Sequence, residues 1–89
     1  MAVLIIAEIK GQTAEGYDGM LAKMGEEVQH VAGRVLHAAH PTEEGWRVVE
    51  VWDSKEIANR WFAAHVAPLL PPGIRPRRTV QELHLLMAP

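Results

Sequence analysis

The chain has 89 residues, no cysteine and a formal net charge of −2; this is enough for one domain, residues 1–89, and excludes disulfides, thiolate chemistry and zinc–thiolate sites. The slightly acidic balance lacks the basic face that neutralises phosphates, so no nucleic-acid partner is expected. A lone domain of this size buries only roughly 60–65 % of its unfolded surface, and with 48 % of the residues hydrophobic a second copy of the chain is the expected relief.

Ala2 to Ile9 reads as a strand rich in β-branched residues, broken by Gly11. Its two alternating faces, Val3, Ile5, Ala7 and Ile9 against Ala2, Leu4 and Ile6, are both apolar, so a cover is expected on each. The run is too short to span a membrane and lacks the basic start and cleavage pattern of a signal peptide, so the expectation is no membrane partner and a cytoplasmic protein. Thr13 to His30 reads as a helix capped by Thr13, with Glu15 at the positive end of the dipole and Tyr17, Met20, Leu21, Met24 and Val28 as an apolar stripe. Gly16, Gly19 and Gly25 weaken it. Gly33 to His40 and Trp46 to Trp52 read as strands, and the short turn from Pro41 to Gly45 joins them as an antiparallel hairpin.

Asp53 is the expected cap of a second helix, with Glu56 completing a capping box. Ile57, Trp61, Ala64 and His65 share one face of it, flanked by Ala58 and Phe62, and Pro68 stops it. Leu69 to Pro76 is a proline-rich connection, and Arg77 to Met87 reads as the last strand. Strand, helix, strand, strand, helix, strand is the split βαβ, or ferredoxin-like, α+β arrangement. Right-handed crossovers put both helices on one face of a four-stranded antiparallel sheet. The bare face is expected to pair with the sheet of an identical chain.

The segment GWRVVEVWDSKEIANRWFAAHVAP, residues 45–68, holds all three tryptophans and the only phenylalanine. Together with the element order over the whole chain, it resembles the dimeric α+β-barrel superfamily and, within it, the antibiotic-biosynthesis-monooxygenase-like domains. That resemblance implies a homodimer whose two sheets form a barrel, and a pocket in each chain between helices and sheet. It implies a small hydrophobic or aromatic ligand and, if the protein is an enzyme, a cofactor-independent monooxygenase that activates oxygen through the substrate's own anion. The alternatives are a haem-binding or haem-degrading protein and a non-catalytic dimer. Haem-degrading members carry the spacing VWxSxxxxxxW, matched by Val51 and Trp52 through Trp61. They also carry an iron-ligating histidine further down that helix and an asparagine on the first strand. Here His65 follows Trp61 by only one turn, and Glu8 is the only polar residue of the first strand before Lys10.

Trp52, Trp61, Phe62 and Met24 are therefore the expected pocket wall, His65 the proton-transfer group, and Tyr17 and Asn59 the groups that orient a substrate. Each has a plainer reading. The tryptophans supply burial that so small a domain needs, and His65 suits the negative end of the helix dipole. His37 and His40 are three apart on a strand and face opposite sides. With no HxH or HExxH pattern, no structural metal is expected, and a haem iron would fall to His65, His37 or His84. Glu8, Glu50 and Glu82 lie within strands; Arg34, Arg47 and His84 are their candidate partners, and a buried Glu–His pair would be acid–base equipment. Arg75, Arg77 and Arg78 could hold a carboxylate or phosphate at a pocket mouth, although such a knot is more often a solvated loop.

Overall fold

The computed structural model describes residues 1–89. Strand β1 (Val3–Lys10) is followed by helix α1 (Ala14–Met24), a 3₁₀ turn (Glu26–Gln29), and strands β2 (Arg34–Pro41) and β3 (Gly45–Trp52). Helix α2 (Lys55–Trp61) then runs through a π-helical turn (Phe62–Val66) into a 3₁₀ turn (Ala67–Leu69), and β4 (Arg77–Glu82) closes the chain. The sheet order is β2-β3-β1-β4 with every neighbouring pair antiparallel. This is the ferredoxin-like α+β arrangement that the element order implies.

Strand alternation sorts the sheet. Val3, Ile5, Ala7 and Ile9 pair with Trp52, Glu50, Val48 and Trp46, and this set faces the helices. Val3, Ile5, Trp52 and Ala58 form one buried cluster, joined by Ile57 and Trp61 of α2. Ala7, Ile9 and Trp46 form a second, joined by Tyr17 of α1. The alternate residues Leu4 and Ile6, with their neighbours Val51 and Val49, stand on the face the helices leave uncovered.

Several boundaries differ from the sequence expectation, and Pro68 does not stop the second helix: its α-helical part ends at Trp61, and Pro68 lies inside the 3₁₀ turn Ala67–Leu69. The first helix ends at Met24, because Gly25 takes φ +78° and turns the chain away. The cap of α2 is Ser54 rather than Asp53: Ser54 Oγ accepts from the Ile57 backbone N–H at 3.2 Å. Asp53 instead stays bound to the hairpin, its N–H donating to the Gly33 carbonyl. The last strand stops at Glu82, opposite Val3 at the start of β1, with one further backbone bond from Leu83 N–H to the Ala2 carbonyl, and Leu85, Leu86 and Met87 lie exposed beyond it.

Candidate functional site

Between the helices and the covered sheet face lies a cavity of about 80 Å³. Its walls are mostly apolar, from Ile5 and Ala7 of β1, Met20, Leu21 and Met24 of α1, and Trp61, Phe62 and Val66 around the π-helical turn. Into this lining the fold inserts a linked set of polar groups. Tyr17 comes from α1, His37 from β2 and Glu50 from β3. His37 stands directly opposite Glu50 in the hairpin register, so strand pairing alone sets their contact. His37 Nδ1 lies 2.6 Å from Glu50 Oε2, and the Tyr17 hydroxyl is hydrogen-bonded to His37 Nε2. The second carboxylate oxygen, Glu50 Oε1, accepts from Trp52 Nε1 at 3.1 Å.

The electrostatics define the direction of these bonds. Burial, and then the nearby Glu50 charge, raise the Tyr17 pKa, so the phenol keeps its proton and donates it to His37 Nε2. For Glu50, burial works against ionisation, but hydrogen bonds from His37 and Trp52 and the charges around it outweigh burial and hold the pKa below the usual carboxylate value. An ionised Glu50 then accepts from His37 Nδ1–H. The result is a hydroxyl, an imidazole and a carboxylate in series, the same order of groups as a nucleophile–histidine–acid triad. Arg34 and Arg78 also line the cavity. Arg78 is a half-buried cation over the Phe62 ring, 4.3 Å from its centroid, and burial lowers its pKa, partly offset by Glu50. Neither guanidinium is paired with a carboxylate.

The expected site residues do not all meet here. Tyr17, Met24, Trp61 and Phe62 line the cavity, whereas Trp52 is buried behind it and reaches it only through Glu50. Asn59 lies on the outer side of α2, where its Oδ1 accepts from Arg78 Nη1 at 3.1 Å. His65 is exposed and stacks on Trp61 at 4.0 Å between ring centroids, at a separate shallow cleft. The basic knot is divided by strand alternation: Arg78 faces the cavity, while Arg75 and Arg77 border another cleft beside Glu8 and Lys10. Glu8 is bound to Arg47, as one of the candidate pairings had it.

The sequence reading named His37 only as a candidate haem ligand and not as the partner of Glu50 or Tyr17. The signal was the hairpin itself: pairing Pro41 with Trp46 and counting back places His37 opposite Glu50. Gln12, a buried polar residue of the lining, carries no such signal, because its burial depends on how α1 docks.

Both ring nitrogens of His37 are engaged, by Tyr17 and Glu50, so His37 as it stands has no free nitrogen for a haem iron.

No family model matches the chain, and no curated protein matches it significantly. Solved structures do. The chain is similar to SnoaB, a cofactor-independent oxygenase from Streptomyces nogalater, with a TM-score of 0.67 and 13% identity over 97% of this chain and 96% of the other. A candidate antibiotic biosynthesis monooxygenase from Deinococcus radiodurans matches with a TM-score of 0.66 and 13% identity over 99% and 97%. A variant of MhuD with two manganese protoporphyrin IX molecules bound per active site matches at 0.57 and 20% identity over the full length of both. At these identities the likeness is one of fold alone: the chain shares the ferredoxin-like α+β fold of these proteins.

Proposed function

We propose that the protein is a cofactor-independent oxygenase of a small aromatic or otherwise enolisable molecule, with Tyr17, His37 and Glu50 as its acid–base relay. The observation that carries this reading is the Tyr17–His37–Glu50 series set into an otherwise apolar cavity. Such a series has little structural reason to face a cavity, and it supplies what substrate-activated oxygen chemistry requires. The substrate proton passes to the Tyr17 oxygen as the Tyr17 proton passes to His37 Nε2, and Glu50 holds the resulting imidazolium. Arg34 and Arg78 favour the substrate anion by charge. The anion transfers an electron to O₂, and recombination forms a carbon–oxygen bond. The hydroperoxide then loses water, so a CH₂ group and O₂ become C=O and H₂O. No external reductant enters the balance.

Met24, Trp61 and Phe62 shape the binding wall in this reading, with Trp52 supporting Glu50 from behind. The proton role assigned to His65 from the sequence passes to His37. Asn59 acts on the ligand only through Arg78. The protein works as a homodimer closed across the uncovered sheet face.

Oxygen uptake with a panel of hydroquinones and enolisable cyclic ketones tests the reading. Tyr17→Phe and His37→Gln are expected to lower turnover by about 10²–10⁴-fold, the usual worth of a positioned acid or base. Turnover that survives both substitutions would remove the relay. A panel that raises Tm without any oxygen uptake would leave a binding protein instead; a true ligand at 100 times its Kd adds about 2.7 kcal/mol.

A further inference from the structure

Gln12 is the one polar residue among the nine buried ones. It follows the turn at Gly11 and lines the cavity between β1 and α1. Its orientation is fixed from two sides. The Thr13 backbone N–H donates to Gln12 Oε1 at 2.9 Å, so that end of the carboxamide is the oxygen. Gly16 leaves the room for it: a Cβ at position 16 would strike Oε1. The nitrogen end is thereby turned toward Met20, whose thioether sulfur, 3.6 Å away, is its only acceptor. Sulfur is a weak acceptor, and a carboxamide nitrogen carries two N–H donors. A buried donor left without an oxygen partner is unfavourable, and native proteins keep few of them. Met20 lines the same cavity, so a donor held only by this weak sulfur acceptor belongs to a side chain that borders the space a ligand would fill.

We propose that Gln12 Nε2 is the oxygen receptor of this cavity: it donates to a carbonyl or enolate oxygen of the ligand and so turns the acidic position toward Tyr17. The inference rests on the reading of the cavity as a substrate site. It narrows the ligand to an aromatic ketone or its enol rather than a plain hydrocarbon ring. As the substrate loses its proton the charge gathers on that oxygen, so the hydrogen bond from Gln12 strengthens along the reaction.

The test is a matched pair of probes, 1-indanone and indane, which differ by one carbonyl oxygen. Binding is measured by calorimetry to the wild-type chain, to Gln12→Leu and to His37→Gln. The wild type is expected to prefer 1-indanone by about tenfold, the worth of one net hydrogen bond. Gln12→Leu is expected to bind both probes alike, and His37→Gln to keep the preference although its turnover is lost. The oxygen receptor and the proton relay therefore fail separately. As a check that does not depend on the variant folding, the side-chain amide resonances of Gln12 in the wild type are expected to shift with 1-indanone and not with indane. No preference in the wild type, a preference retained in Gln12→Leu, unmoved Gln12 resonances, or no binding of either probe would overturn the proposal.

Discussion

Glu50 carries two hydrogen bonds, one to the catalytic candidate His37 and one to the core residue Trp52, so it couples the site to the stability of the sheet. Its folded pKa is lowered. Its stabilising contribution is therefore complete above the unfolded carboxylate value of 4.5 and is lost as pH falls through the lower folded value. Denaturation of wild type and Glu50→Gln as a function of pH checks this: the wild type is expected to be more stable near neutrality, and the gap to close below about pH 4.5. A gap that stays constant across that range would show that the pair contributes no charge-dependent stability. Trp46 contrasts with Trp52. Its indole N–H is buried without a partner, so Trp46 acts as packing surface against Tyr17 while Trp52 also holds a side chain of the site.

At the scale of elements, two glycines separate propensity from space. Gly19 lies inside α1 with nothing near its missing side chain, so Gly19→Ala is expected to raise stability by about 0.5–1 kcal/mol through helix propensity. Gly45 opens β3, and a Cβ there would collide with the Ile9 carbonyl oxygen of β1. Gly45→Ala is therefore expected to cost more than Gly19→Ala gains, by forcing apart the β1–β3 pairing that bears on Ile9 and Trp46. Urea titration of the two variants reads both signs; a stabilised Gly45→Ala would mean that the strand end relaxes freely. The π-helical turn is the other notable element. It widens α2 at Phe62–Val66, where Phe62 and Val66 wall the cavity, consistent with the frequent use of such turns at functional sites.

At the scale of the whole molecule, the sheet has one finished face and one unfinished face. Leu4, Ile6, Val49 and the largely exposed Leu36 line the unfinished one, and no helix packs there. If this face pairs with its copy, as proposed, Ile6→Lys places a charge at its centre and is expected to convert a dimer to a monomer in light scattering. A wild type that is already monomeric at micromolar concentration, or an unchanged dimer in the variant, would remove the sheet-to-sheet interface. No helix of the chain is long and apolar enough to cross a membrane.

Much of this architecture was legible in local pattern. Alternation along Val3–Lys10 and Gly45–Trp52 and the stripe of Tyr17, Met20, Leu21 and Met24 depend only on near neighbours, so the sequence by itself determined the element order and, through it, the ferredoxin-like sheet. The cap of α2 was misread by one residue because Asp53 and Ser54 are both good caps, and the choice fell to the tertiary bond between Asp53 N–H and Gly33. Only the tertiary structure decided the site. Tyr17 and His37 are 20 residues apart and His37 and Glu50 are 13 apart, and they meet through strand register and the docking of α1. The same docking buries Gln12 beside Met20, while His65 stays exposed on the turn after α2. The physical reason is range: propensity and periodicity act within a few residues, whereas a site is made where distant segments close on one cavity.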